Sequence, residues 1–359
     1  VVKQEKGMNR APMLDNILAQ PESHRGVLGL QQKQQPTLRA CAEKIRATPG
    51  RVIFTGMGGS LFATTAAVTR LAQHGHAAEA RESSELLHYG SASLRAGDLG
   101  IVISRSGGSI EPVLLAEKMR QVGMTVIAVT NVPGSRLEEI ADITLAIGSL
   151  ADNLIAVQTY TGTVLTLLLL AEEVISGRST QLGDECTAAL PALASLIDES
   201  VKASDDWQPL LSGILYLLGR GEALGSVHEG ALLMHETAKT AAVGMSSGQF
   251  RHGPAEILSQ DFRAVVFGAP QATSALDRSL ANDLSAAGGK VYWIGPGSGS
   301  APSLVPWPEI PLSLAPLFEI VPMQVAAYRL ALWRGITPGD FRFVSEVTAT
   351  ESGFLNVHA

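Results

Sequence analysis

RVIFTGMGGSLFATTAAVTRLAQHG, residues 51–75, passes from an apolar run through a glycine-rich turn into an alanine-rich run. Val52, Ile53 and Phe54 suit a strand, and residues 60–75 suit the helix that follows it. Three glycines, Gly56, Gly58 and Gly59, fall within four residues between the two. Glycine loses more backbone entropy on folding than any other residue. Such a run is tolerated where a turn is tight or a ligand must come close to the backbone. The spacing is not G-x-G-x-x-G, and no Gly-Lys-Ser/Thr phosphate loop occurs in the chain.

The same alternation continues downstream. DLGIVISRS (98–106), TVIAVTN (125–131) and ITLAIG (143–148) read as strands, and IEPVLLAEKMRQVG (110–123) and SRLEEIAD (135–142) as helices. Unbroken runs of Val, Ile and Leu suit strands buried on both faces, and their alternation with helices predicts a parallel, doubly wound sheet. The pattern then recurs. SGILYLLGRGEA (212–223), DFRAVVFGAP (261–270) and GGKVYWIGPG (288–297) echo the first three strand-and-turn units. The expected fold class is α/β, with two tandem doubly wound parallel-sheet domains, each a flavodoxin-like three-layer α/β/α unit. The expected organisation is an N-terminal helical segment (1–34), a first domain (35–175), a helical linker (176–205), a second domain (206–340) and a C-terminal tail completing the site (341–359).

Composition narrows the class of partner. Lys+Arg 27 against Asp+Glu 34 gives a net charge of −7, and the basic residues are scattered. Neither nucleic acid nor an anionic membrane surface is therefore expected. The longest apolar run, TGTVLTLLLLA (161–171), is closed by Glu172 and Glu173. It is shorter than the ~20 residues a bilayer crossing needs and reads as a core helix. VVKQEKGMNRAPM (1–13) lacks the apolar core of a signal peptide. Cys41 and Cys186 form neither a disulfide framework nor a metal site, and they fit a reducing, cytoplasmic setting.

Two further stretches carry the chemistry. In ISRSGGSIEP (103–112), Ser104, Ser106 and Ser109 lie between a strand and a helix. Hydroxyls, free backbone N–H groups and a helix N-terminus make an anion site without a metal. A serine-rich turn that only caps its helix, with Ser109 as N-cap, is the plainer reading. In HEGALLMHETAKTAAVGMSSGQFRHGPAEIL (228–258), residues 229 to about 242 read as a helix and GQFRHGP as a loop. Glu229, Leu233 and Glu236 stand four and three apart and share a helix face. A glutamate on the buried side of such a helix has a raised pKa, which suits acid–base work. Taken singly, a helix Glu is more often solvated and a loop histidine such as His252 more often a surface residue.

In order and spacing, MLDNILAQP (13–21), GMGGS, SRSGGS, VTNVPGS, HEGALLMHE, FRHGP and AAYRLALWRGITPGD (326–340) resemble the sugar isomerase (SIS) family. Within it they resemble the isomerase half of glucosamine-6-phosphate synthase and its stand-alone relatives. The resemblance implies two SIS domains and a sugar phosphate held by Ser104, Arg105 (through its backbone N–H), Ser106 and Ser109. Gly58, Gly59 and Ser60 would let the first turn pass close to that ligand. It implies Glu236 as the base that moves a proton between C1 and C2, with Glu229 as the earlier glutamate of the same motif. His252 would open the sugar ring, often in the partner subunit's site, so a homodimer with a shared active site is expected. No cofactor and no metal is implied.

The sequence departs from the family where lysines are usual. Leu233 and His235 stand in the helix motif, Tyr160 in VQTY and Glu346 in VSEVTATE. Imine formation on an enzyme lysine is therefore not expected, and Lys239, Tyr160 and Glu346 remain auxiliary candidates. The expected activity is that of a phosphosugar isomerase or amino-sugar-phosphate deaminase. It would act on a hexose or hexosamine 6-phosphate through an enediol or enolamine, without a glutaminase domain. A fructosamine-phosphate deglycase and a non-catalytic phosphosugar-binding regulator are the alternatives.

Overall fold

The computed structural model describes residues 12–269, 272–344 and 347–353. Among them, nine strands form two parallel sheets. The first holds β1 (Val52–Gly56), β2 (Ala78–Glu82), β3 (Leu99–Ile103), β4 (Thr125–Thr130) and β5 (Ile143–Ala146), ordered β2-β1-β3-β4-β5. The second holds β6 (Leu215–Gly219), β7 (Ala242–Ser246), β8 (Arg263–Phe267) and β9 (Lys290–Ile294), ordered β7-β6-β8-β9. Both sheets therefore grow outward from their first strand, which places a switch in winding direction between β1 and β3 and between β6 and β8.

The chain divides into two compact units. One comprises Glu22–Ala151, Gln158–Thr187 and Phe341–Ala359, and the other Val1–Pro21, Asp152–Val157 and Ala188–Asp340. In the first unit, successive residues of each strand point to opposite faces. Ile53, Val102, Val126 and Ala128 join Val113, Leu115 and Met119 of the helix Ile110–Gln121 in one core. Beyond the opposite face, the helices Gln35–Ala47 and Thr65–Gln73 both pack on Gln158–Ile175. The amino ends of the strands are tied by charge. Arg51 pairs with Asp98 at 2.6 Å, and the Asp142 carboxylate accepts the Val126 N–H at 2.8 Å. That leaves the carboxyl ends for the turns.

In the second unit, Leu218, Ala264, Val266 and Trp293 form a core with Phe250, Phe262 and Leu280. The helix Leu224–Ala238 packs on β6, β7 and the helix Val321–Trp333. Gly230 permits that approach, because a Cβ there would lie 2.8 Å from Leu217 Cδ1.

Two strands have no counterpart in the sequence reading. β2 (AEARE) and β7 (AVGMS) are edge strands without a continuous apolar run, so hydrophobic patterning does not mark them. The helix expected to reach about residue 242 ends at Ala238, and Ala242 opens β7. It stops because Lys239 takes the left-handed conformation (φ 51°) and its N–H returns to the Met234 carbonyl. No glycine announces that cap.

Candidate functional site

In the first unit, β1 ends in Gly56, and a Cβ there would lie 3.0 Å from the Ile103 carbonyl oxygen at the end of β3. Gly58 turns the chain at φ 49°, ψ −130° and caps the short helix Gly59–Phe62, which carries half-buried Ser60. The first glycine turn and the serine turn therefore leave the carboxyl ends of adjacent strands.

The serine turn is organised by its own hydroxyls. Ser104 is 2% exposed and its Oγ accepts the Gly107 N–H at 3.1 Å. Ser106 Oγ accepts the Gly108 N–H at 3.2 Å, and Ser104 and Ser109 hydroxyls approach to 3.5 Å. The Arg105 carbonyl accepts the Asn131 N–H at 3.0 Å, which turns the Arg105 peptide and leaves its side chain half-buried. Gly107 is in the left-handed region (φ 63°), and a Cβ there would lie 2.1 Å from Ser135 Oγ, so only glycine fits. Ser109 occupies the N-cap of Ile110–Gln121, yet its side chain makes no capping bond. Its hydroxyl is thus not spent on the plainer capping role. The Ile110 N–H is taken at 3.0 Å by the Thr348 carbonyl of the C-terminal segment, and His88 Nε2 and Glu351 Oε1 meet at 2.6 Å.

In the second unit, the helix Leu224–Ala238 carries the carboxylates. Glu229 is 1% exposed, and its Oε2 has no hydrogen-bond partner. Burial holds its carboxyl well above the usual range, and the negative charges of Glu236 and Asp152 push it further. Glu236 is half-buried one face-repeat along the helix, so the buried carboxyl of Glu229 and a second carboxyl share that face. Leu233 between them is 1% exposed. Lys239 Nζ donates to the Glu236 carbonyl oxygen. His252 is exposed on the turn after the helix Ser247–Phe250, and its N–H donates to the Gln249 carbonyl at 3.0 Å. Tyr160 is buried in the first unit's helix Gln158–Ile175. Glu346 lies outside the described residues.

Asp152, whose negative charge acts on Glu229, is passed over by sequence reading, since a lone acid in a loop carries no motif. Its Oδ2 accepts the Val157 N–H at 3.0 Å. Two further buried acids lie in the second unit. Asp277 is paired with Arg220 at 3.0 Å, and burial pushes its carboxyl up against the opposing pull of Ser247, Arg220 and Thr273. Glu319 is pushed up to about 8, chiefly by burial. No cluster of three or more His, Cys, Asp or Glu among the described residues is arranged to hold a metal ion, and no helix there is long and apolar enough to cross a membrane.

Residues 45–172 match the SIS domain family model, as the motifs led one to expect. Glutamine–fructose-6-phosphate aminotransferase (isomerizing) of Pyrococcus horikoshii is 29% identical over 360 residues. That alignment takes in 97% of this chain and 59% of the relative, so the chain spans well under two thirds of that protein's length. Among solved structures, the C-terminal domain of glucosamine-fructose-6-phosphate aminotransferase from Francisella tularensis superposes with a TM-score of 0.79 at 19% identity, covering 92% of this chain and 98% of that one. Glucosamine-6-phosphate deaminase from Thermotoga maritima gives 0.75 at 19% identity, covering 94% and 99%. The structural likenesses establish a shared α/β fold with parallel sheets.

Proposed function

We propose that the chain is a cofactor-free phosphosugar isomerase or amino-sugar-phosphate deaminase acting on a hexose or hexosamine 6-phosphate. The observation that carries this reading is the pairing on one helix face of Glu229, whose carboxyl burial holds well above the usual range, with half-buried Glu236. Two carboxyls on one helix face, one of them raised by burial, can serve together in a proton relay. In the aldose-to-ketose direction, Glu236 takes the proton from C2 while the carbonyl oxygen on C1 gains one, giving an enediol. The hydroxyl on C2 then loses its proton, and C1 regains the proton held by Glu236. With an amine on C2 the intermediate is an enolamine, and hydrolysis of the resulting imine releases ammonia. Ser104, Ser106, Ser109 and the backbone N–H of Arg105 hold the phosphate, with Gly58, Gly59 and Ser60 beside the ligand.

The names of the relatives support the same class, since both the aminotransferase and the deaminase are named for amino-sugar phosphates. We further propose a homodimer in which exposed His252 opens the ring in the partner subunit's site. Sedimentation tests the dimer. Co-assembly of Glu236→Ala and His252→Ala chains tests the sharing, which requires activity to return in the mixture.

A deglycase reading is favoured by one feature: Lys239 Nζ is engaged by the Glu236 carbonyl and Leu233 is buried, so an imine would have to use the substrate's own amine. The deciding experiment is a turnover screen of hexose, hexosamine and fructosamine 6-phosphates that follows ketose, ammonia and free amino acid together. Ketose or ammonia supports the first reading, and amino acid the second. Saturable binding without turnover of any of them would reassign the chain as a phosphosugar-binding regulator.

A further inference from the structure

We infer that the second unit carries an oxyanion site of its own, in which the guanidinium of Arg220, anchored by Asp277, takes a phosphate or carboxylate group through two parallel N–H bonds. Arg220 directly follows β6, and Asp277 lies in the first turn of the helix Ser274–Ala286, which follows β8. The strand order β7-β6-β8-β9 repeats β2-β1-β3-β4 of the first sheet, so Arg220 stands after β6 where Met57 stands after β1. It therefore sits at the carboxyl end of the sheet, beside the switch between β6 and β8. Open α/β sheets take their ligands at such places. No residue of the serine turn takes part.

Asp277 is the anchor. It is fully buried, and its Oδ1 accepts from Arg220 Nε at 3.0 Å, with Ser247 and Thr273 beside the same carboxyl. A buried ion pair gives little or no stability over an apolar pair of the same volume. What this one supplies is aim, because a planar guanidinium held at Nε has its outer edge fixed in direction. A guanidinium carries five N–H donors, and this contact uses one of them.

The outer edge is unspent. Among the described residues Nη1 and Nη2 have no hydrogen-bond partner, and Asp277 Oδ2 receives neither of them. Neither nitrogen belongs to the polar atoms sealed from solvent, and the Arg220 side chain keeps 20% exposure, so the edge is open. The neighbouring backbone leaves it clear. Gly248 lies in the short helix Ser247–Phe250 after β7, and a Cβ on it would lie 3.0 Å from Nη1. Glu222, two residues beyond Arg220, directs its charge at buried Glu319. Two parallel donors on a fixed cation select a group with two adjacent anionic oxygens. A cation or a hydrocarbon would find no partner there.

NMR on the full chain with isotope-labelled arginine tests the site through the Arg220 Nε–Hε signal. That signal is identified by its loss in Arg220→Lys, which keeps a cation beside Asp277. Inorganic phosphate, acetate and chloride are titrated separately at constant ionic strength. Phosphate or acetate should move the signal along a saturating curve with half-effect at about 10 mM or below. The tighter of the two names the source of the oxyanion, and chloride should leave the signal in place. Gly248→Val crowds Nη1 without touching Asp277, so its half-effect should rise about tenfold. The signal belongs to the second unit, so a phosphate held by the serine turn is read separately. The inference is overturned if neither oxyanion saturates the shift by about 100 mM, if chloride moves the signal alike, or if Gly248→Val binds as tightly as the parent.

Discussion

The two units share a local strand order, yet the polar groups of the serine turn and of the glutamate helix are treated differently. In the first, the hydroxyls of the serine turn are neutral and matched: Ser104 and Ser106 each accept a glycine N–H. In the second, the notable groups are acids taken out of water. Glu229 lacks a partner for Oε2, Glu319 is pushed up to about 8, and Asp277 is tied to Arg220. A matched neutral group costs little to bury and holds a shape. An unmatched acid costs much and holds a proton. The first unit thus carries the matched hydroxyls of the serine turn, and the second the buried acids.

The contrast breaks most visibly at Glu236. Glu236→Gln should lower kcat by roughly 10²–10⁴ with KM nearly unchanged, because it removes a general base and no binding contact. Steady-state kinetics on the substrate found by the screen would show this, and a variant with near-parental kcat would end the assignment. Asp277→Ala should destabilise the protein by roughly 3 kcal/mol in urea melts. Removing one partner of a buried pair costs about 3–5, and the low end applies because the Arg220 side chain keeps 20% exposure.

Glu319 gives a pH signature. Its folded value of about 8 lies above the ordinary 4.5, so the folded chain keeps a proton that the unfolded chain releases. The stabilisation is complete below about pH 4.5 and is lost as pH rises towards about 8, a change of roughly a few kcal/mol. Glu319→Gln should flatten that slope, and unfolding free energies across this window would reveal an unchanged slope if the assignment is wrong.

Ser104→Ala combined with Ser106→Ala sharpens the other side of the comparison. Sugar-phosphate affinity should fall about tenfold or more, since each hydroxyl removed is worth about 0.5–1.5 kcal/mol. Unchanged binding by titration would leave the serine turn a structural feature alone. The smallest effect is expected at Lys239, which pays a left-handed conformation as a non-glycine residue. Lys239→Gly should raise stability by a few tenths to about 1 kcal/mol and barely alter turnover, whereas a large kinetic loss would promote Lys239 from auxiliary to essential.

Much of this was legible because short-range chemistry announces itself. The runs 52–54, Leu99–Ile103 and 264–267 are apolar on both faces, so they read as central parallel strands. The serine turn and the glutamate helix were visible as motifs. β2 and β7 were not, because an edge strand with one neighbour needs no apolar run. The end of the glutamate helix was hidden for a related reason: a lysine occupies a conformation that glycine usually marks. Asp152 and the Thr348 carbonyl escaped because one is a lone loop acid and the other is backbone.

The sequence by itself determined the α/β class, the two parallel sheets, the position of each glycine or serine turn after its strand, and which glutamates share a helix face. These follow from periodicity and from backbone needs that act over a few residues. Only the tertiary structure decided that Glu229 is the carboxyl raised by burial and that the Ser109 hydroxyl leaves its helix uncapped. Those properties depend on which distant residues exclude water from a side chain, and spacing along the chain does not encode that exclusion.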